Sequence, residues 1–250
     1  VIVGVGLEDV AEKTIVEYEN IKGEALAVPV SNINPYLVDA PDLVLEKRNQ
    51  PICIVPTISY GSMANDDGHL LLDKEQRNAL IAAEPATAPY IRRYMGAQEF
   101  LNNAERWCLW LKDISPSLMR SSNELRHRIE AVRKFRASSN REATRNLAAT
   151  PSLFGEDRQP LKSYLLLPKV SSENRPYMPI GFMPSEVIAN GSALTISDSG
   201  HYEMGVLQSK MHMAWMRAVA GRMKSDYQYS AQIVYNNFPW PDLPEKLEPN

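Results

Sequence analysis

The sequence predicts a mixed α+β fold: a β-rich domain with inserted helices, followed by a helical C-terminal region. Three features point there. Short apolar runs of strand length, at 25–30, 52–55, 69–72 and 164–167, are set off by Pro, Gly, Asn and Asp. One long segment, 116–146, repeats apolar side chains at Leu125, Ile129, Val132 and Phe135, which is the spacing of one helix face. A second helical stretch comes late, from Gly205 to about Gly221, with Val206, Met213 and Met216 facing inward.

Taken in order, 1–5, 14–18 and 25–30 read as strands, and 31–37 as a turn leading outward. A strand follows at 52–55 and a turn at 59–62. Asn65-Asp66-Asp67-Gly68 is a strong turn signal ahead of the strand at 69–72. Asp73 suits the N-cap of a helix over 74–83, and Pro85 ends it. Residues 92–95 fit strand or loop and are broken by Gly96, and 105–111 alternate as a strand. Ser138-Ser139-Asn140 interrupts the long helical segment, because short polar side chains compete for the backbone. Pro151 and Pro160 bound a loop. The strand at 164–167 then enters the polar segment 169–179, and 180–182 leaves it. A last short strand is expected at 195–197.

Bulk composition sets limits. With 250 residues, 44% hydrophobic and 23% charged, the chain can bury one large core or two medium ones. No apolar run approaches the ~20 residues of a membrane helix, and no secretory leader is visible. A cytoplasmic, prokaryotic setting is expected. Cys53 and Cys108 lie in separate apolar runs and read as free thiols. The chain opens on Val1 rather than Met, which leads us to expect a piece of a longer protein. Net charge is −3, but it is unevenly spread. Residues 92–175 hold 16 Lys+Arg against 9 Asp+Glu, a balance of +7, while the remainder holds 11 against 21, a balance of −10. A nucleic-acid face would look like this. So would a salt-bridged helical surface.

Catalytic chemistry is hard to place. His69, His127, His201 and His212 are not spaced with Cys or carboxylates as a zinc site requires. No Gly-x-Ser-x-Gly elbow occurs. Val3-Gly4-Val5-Gly6 lacks the third glycine of a dinucleotide loop. Asn65-Asp66-Asp67-Gly68-His69 does not continue as an EF-hand and reads as a plain turn. Trp107, Trp110 and Phe100 read as core.

Two segments combine the groups that read nucleic acid. Ser138, Ser139, Asn140 and Arg141 follow the arginine-rich helix, where Arg128 is a candidate phosphate contact. Ser171, Ser172, Glu173, Asn174, Arg175 and Tyr177 crowd onto one turn between strands. Short hydroxyls and amides reach phosphates. A carboxylate accepts from cytosine N4, and a guanidinium donates in a fork to guanine. A turn held by an internal Glu173–Arg175 pair is the bland alternative.

Several strings together resemble the C-terminal part of the MmeI-like, type IIL restriction–modification enzymes and related class I adenine-N6 DNA methyltransferases. They are Val1-Ile2-Val3-Gly4, Ile33-Asn34-Pro35-Tyr36-Leu37, Tyr60-Gly61 with Asp67-Gly68-His69-Leu70-Leu71-Leu72, Arg106-Trp107-Cys108-Leu109-Trp110, Ser171-Ser172-Glu173-Asn174-Arg175, Met211-His212-Met213-Ala214-Trp215 and Tyr235-Asn236-Asn237-Phe238-Pro239-Trp240-Pro241. They run in family order over nearly the whole chain.

The resemblance implies closing strands of a methyltransferase domain at 1–45, a target recognition domain at 46–185 and a C-terminal helical region at 186–250. It implies a sequence-specific duplex-DNA reader that works beside an upstream methyltransferase domain of the same polypeptide. Glu173 and Arg175 fall where the family's specificity determinants are expected, and Asn140 with its neighbours is a second candidate loop. The family's catalytic Asn/Asp-Pro-Pro-Tyr/Phe loop and its S-adenosylmethionine-binding glycine loop lie upstream. Asn34-Pro35-Tyr36 lacks the second proline and reads as a linker turn. The chain alone is thus expected to hold no cofactor and to be inactive, with S-adenosylmethionine bound by the parent enzyme. The alternative is a protein–protein interaction module that uses its acidic flanks or aromatic tail.

Overall fold

The computed structural model describes residues 3, 4, 6, 7, 12–19 and 22–242. The strand expected at 1–5 falls largely outside these residues, as does the tail from 243 onward. The chain divides into two compact units, Val1–Lys47 and Arg48–Asn250.

In the first unit, β1 (Lys13–Tyr18) and β2 (Ala25–Val30) form an antiparallel hairpin, with Lys13 opposite Val30 and Tyr18 opposite Ala25. A turn built on Asn34 follows. Its side-chain oxygen accepts the N–H groups of Tyr36 at 2.9 Å and Val38 at 3.3 Å. Leu37 takes the left-handed region at φ 61° to close it.

The second unit begins with β3 (Ile58–Tyr60), β4 (Leu71–Leu72), α1 (Lys74–Ala83), β5 (Ile91–Met95), α2 (Ala97–Asn102) and β6 (Trp107–Leu109). Three helices follow: α3 (Pro116–Ser121), α4 (Asn123–Ala137) and α5 (Glu142–Asn146). Then come β7 (Tyr164–Pro168), β8 (Val170–Ser171), β9 (Gly181–Met183), β10 (Ile188–Ala189) and β11 (Ala193–Ser197). The last elements are α6 (His201–Leu207), α7 (Lys210–Val219), β12 (Gly221–Met223), β13 (Asp226–Gln228) and a π-helical turn at Ala231–Tyr235.

These strands make three sheets, ordered β10-β5-β6-β4, β3-β11-β7-β9 and β12-β13-β8. The first sheet and α4 enclose one core of Leu70, Leu72, Cys108, Leu109, Leu125 and Val132. The second sheet encloses another, with Leu165, Leu167, Ile196, Met216, Tyr235 and Phe238. Strand β7 is buried along its whole length. Leu165 and Leu167 face that second core, while Tyr164 and Leu166 pack with Ala189 and Ala193 on the other side. Burial on both faces explains why the sequence runs apolar there without alternating. Gly61 and Gly96 let the turn at Asn190 nest between the sheets. A Cβ on Gly61 would lie 2.2 Å from the Asn190 carbonyl oxygen, and one on Gly96 would lie 2.1 Å from its side-chain nitrogen.

The helix at 74–83 forms as expected, with a full capping box between Asp73 and Gln76. Other expectations shift. Residues 52–54 bend and Val55 is irregular, so no strand forms over 52–55. Pro51 and Pro56 flank them, and proline offers no N–H to a ladder. A strand forms instead at Ile58–Tyr60 and runs into the expected turn at 59–62. The segment 116–146 is three helices rather than one or two, because Ser122 starts a fresh helix by accepting Leu125 N–H at 3.0 Å. The Glu84 carboxylate assists from α1, accepting the N–H groups of Asn123 at 3.1 Å and Glu124 at 3.2 Å. The late helix is likewise two, restarted by Ser209, whose hydroxyl accepts His212 N–H at 3.1 Å. Strands β10 and β11 lie beyond residue 185 yet pair with β5 and β7, so hydrogen-bonded sheets cross that expected boundary.

Candidate nucleic-acid interface

The polar segment leaves β8 and returns at β9. Ser171 lies in β8, is 3% exposed and pairs with Tyr227 of β13. It is therefore part of the scaffold, which corrects its expected place in the DNA-contact set. Next comes a tight turn. Arg175 N–H donates to the Ser172 carbonyl at 3.2 Å, and Asn174 N–H donates to the Ser172 hydroxyl at 3.3 Å. Glu173, Asn174 and Tyr177 are exposed, and Arg175 is half-buried. Met178 and Ile180 then re-enter the second core. The turn is thus pinned at both ends, with Glu173, Asn174 and Tyr177 outward and Arg175 partly exposed.

Among the described residues, no ion pair joins Glu173 to Arg175, so the bland reading of this turn has no bond behind it. A free carboxylate acceptor and a free guanidinium fork two residues apart can address neighbouring base edges.

The second expected segment joins α4 to α5. The Ser138 hydroxyl donates to the Phe135 carbonyl at 2.9 Å, and the Ser139 hydroxyl accepts Arg141 N–H at 3.2 Å. Both serines shape the junction, and the side chains of Asn140 and Arg141 are left exposed. Among the described residues, no hydrogen bond or ion pair links this junction to the Ser172–Tyr177 turn, and the two belong to elements around different cores.

Arg128 needs correction. Its Nε donates to Glu124 at 2.7 Å, and Nη1 donates to the His69 carbonyl at 3.0 Å. The side chain is 15% exposed. Arg128 holds the 66–72 loop against α4 and is not a free phosphate contact.

Arg136 was missed by sequence reasoning beyond its place in an arginine run. It is fully buried. Its five N–H donors meet five carbonyls: Asn65 at 2.8 Å, Ala64 at 2.7 Å, Leu147 at 3.0 Å, Thr150 at 2.9 Å and Leu153 at 2.7 Å. Burial lowers its basicity, and the Asp66 carboxylate nearby opposes that. Position carried the signal: Arg136 falls four residues after Val132, on the apolar face of α4.

Other chemistry is inward. His212 is buried beside Tyr229, with Nε2 3.0 Å from the hydroxyl, and burial pulls its pKa down to about 4. Burial pushes the Cys108 thiol up. Trp107 is core, with Arg77 and Arg93 stacked on it at 5.0 and 5.7 Å. Asp66 accepts Leu70 N–H at 2.6 Å and so belongs to its own turn. Among the described residues no group of three or more His, Cys, Asp or Glu could hold a metal ion.

The model of the MmeI target recognition domain matches residues 39–242. The chain belongs to the MmeI target recognition domain family. Within that family match lie all the turn and junction residues above. The curated relative "DNA methyltransferase A" of Bacillus subtilis (strain 168) is 38% identical over 214 residues, covering 86% of this chain and 24% of its own length. A solved structure of the type IIL restriction–modification enzyme MmeI in complex with DNA superposes with a TM-score of 0.92 at 45% identity, over 96% of this chain and 32% of that one. The chain therefore spans about a quarter to a third of the length of these two proteins.

Proposed function

We propose that this chain is the duplex-DNA-reading part of an S-adenosylmethionine-dependent adenine-N6 DNA methyltransferase of the restriction–modification type. The observation that carries the reading is the Ser172–Tyr177 turn. It is anchored at Ser171 and Met178 and displays Glu173 and Arg175 free of each other. Glu173 accepts from an exocyclic amine such as cytosine N4. Arg175 donates two bonds to guanine O6 and N7. Asn140 and Arg141 contribute from the α4–α5 junction. The duplex is held while an upstream methyltransferase domain of the same polypeptide takes the flipped adenine.

The described residues do not fit a methyl-transfer centre. Asn34, in the Asn-Pro-Tyr string, has its oxygen committed to the N–H groups of Tyr36 and Val38, so it is not free to accept from an adenine amine. No methyl-transfer step is assigned to this chain.

The test is selection from a randomised duplex pool with the 250-residue chain, followed by binding to the selected and scrambled duplexes over a range of salt. One preferred motif, bound more tightly than scrambled duplex, is expected. Binding that ignores sequence would overturn the reading.

A further inference from the structure

Strand β8 has a partner that the sequence did not reveal. It pairs antiparallel with β13, Val170 opposite Gln228 and Ser171 opposite Tyr227. The chain beyond Ser171 therefore runs toward the Asp226 end of β13. That end is the tip of the β12–β13 hairpin, where Met223 pairs with Asp226 across a two-residue turn of Lys224 and Ser225. The hairpin tip and the Ser172–Tyr177 turn thus leave the same end of one three-stranded sheet.

The tip is basic and open. Arg222, Met223, Lys224 and Ser225 are all exposed, while Asp226 is half-buried. Arg222 is held ready: its guanidinium carbon lies 3.9 Å from the centre of the Tyr227 ring, and Nη1 donates to the Ser225 carbonyl at 3.1 Å. Among the described residues no ion pair is formed by Arg222 or Lys224. Lys224 sits at φ 58°, a conformation that favours glycine or asparagine. Turn propensity therefore does not explain a lysine at this position.

We infer that the Gly221–Gln228 hairpin is a second DNA-contacting element, whose Arg222 and Lys224 grip the phosphate backbone beside the bases read by the Glu173–Arg175 turn. This rests on the DNA-reading function proposed above. A two-stranded ribbon fits the width of a major groove. Because β8 and β13 share hydrogen bonds, a phosphate held at the tip fixes the register of the turn on the duplex.

Fluorescence anisotropy with the 250-residue chain and labelled duplexes of several unrelated sequences, over a range of KCl, tests this. Lys224→Gln should weaken binding to all duplexes alike and reduce the slope of log K against log salt by about 1. Lys224→Gly suits the backbone and should give the same loss. Lys224→Arg should keep the wild-type slope. Circular dichroism checks that each variant is folded. If Lys224→Gln, Lys224→Gly and Arg222→Gln all keep the wild-type slope while Arg175→Ala still alters the selected motif, the hairpin assignment falls and the DNA-reading function stands. A changed motif with Lys224→Gln would overturn the phosphate role. No salt-dependent duplex binding by the wild-type chain would overturn the DNA-reading function itself, and this inference with it.

Discussion

The arginine-rich helical segment and the turn between β8 and β9 differ in where their charge goes. Residues 116–146 hold eight Lys+Arg against three Asp+Glu, a balance of +5. Yet its two least exposed arginines face inward. Arg136 meets five backbone carbonyls, and Arg128 meets Glu124 and His69. The Ser172–Tyr177 turn carries one acid and one arginine, and neither is tied to the other. Density of charge therefore does not by itself mark a surface free to bind. A better guide is charge whose donors and acceptors the fold leaves open, which is the ground on which we propose the turn as the reader.

Arg136 offers the largest way to break this contrast. Arg136→Ala leaves five carbonyls at a buried site without a donor, and Arg136→Lys replaces five donors by three. Both are expected to destabilise the chain by about 3 kcal/mol or more, read by urea denaturation. Loss of duplex binding with stability intact would place Arg136 at the DNA instead. Arg175→Ala should do the reverse. Stability should stay within about 0.5 kcal/mol of wild type, while discrimination at one base pair falls by ~1–3 kcal/mol. Repeating the pool selection checks it, and an unchanged motif removes Arg175 from base reading.

Much of the fold was legible because local rules and tertiary packing agree. Asp73 announces its helix through its own capping box. The apolar run at 164–167 announces a strand buried on both faces. Packing is silent in the sequence where the partner is distant. Glu84 caps α4 from the end of another helix, and nothing near Ser122 foretells it. Gly61 and Gly96 are needed because Asn190, far along the chain, comes to rest on both. The polar character of the 172–177 turn, on which the proposed DNA reading rests, was legible in the sequence, but its anchoring was not. Ser171 looks like its neighbours in sequence, and only pairing with Tyr227 removes it from the surface. Likewise, the equivalence of Arg128 and Arg141 as positive charges breaks only when Glu124 and the His69 carbonyl come within reach of one of them.

Those two arginines give the smaller tests. Arg128→Ala removes an ion pair and a bond to a backbone carbonyl at a mostly buried site. It should lower stability by about 1 kcal/mol and leave the salt dependence of duplex binding unchanged. A slope reduced by about 1 would restore it as a phosphate contact. Arg141→Gln should behave oppositely. Its side chain is exposed, and its backbone alone serves the α4–α5 junction, through Ser139. Denaturation should therefore be unaffected. If Arg141 meets phosphate, the salt slope falls by about 1 for all sequences alike. If it meets a base edge, the selected motif changes instead, and reading extends from the β8–β9 turn to the helical junction. Neither change would leave the β8–β9 turn as the sole reader among these segments and make the arginine-rich surface a scaffold throughout.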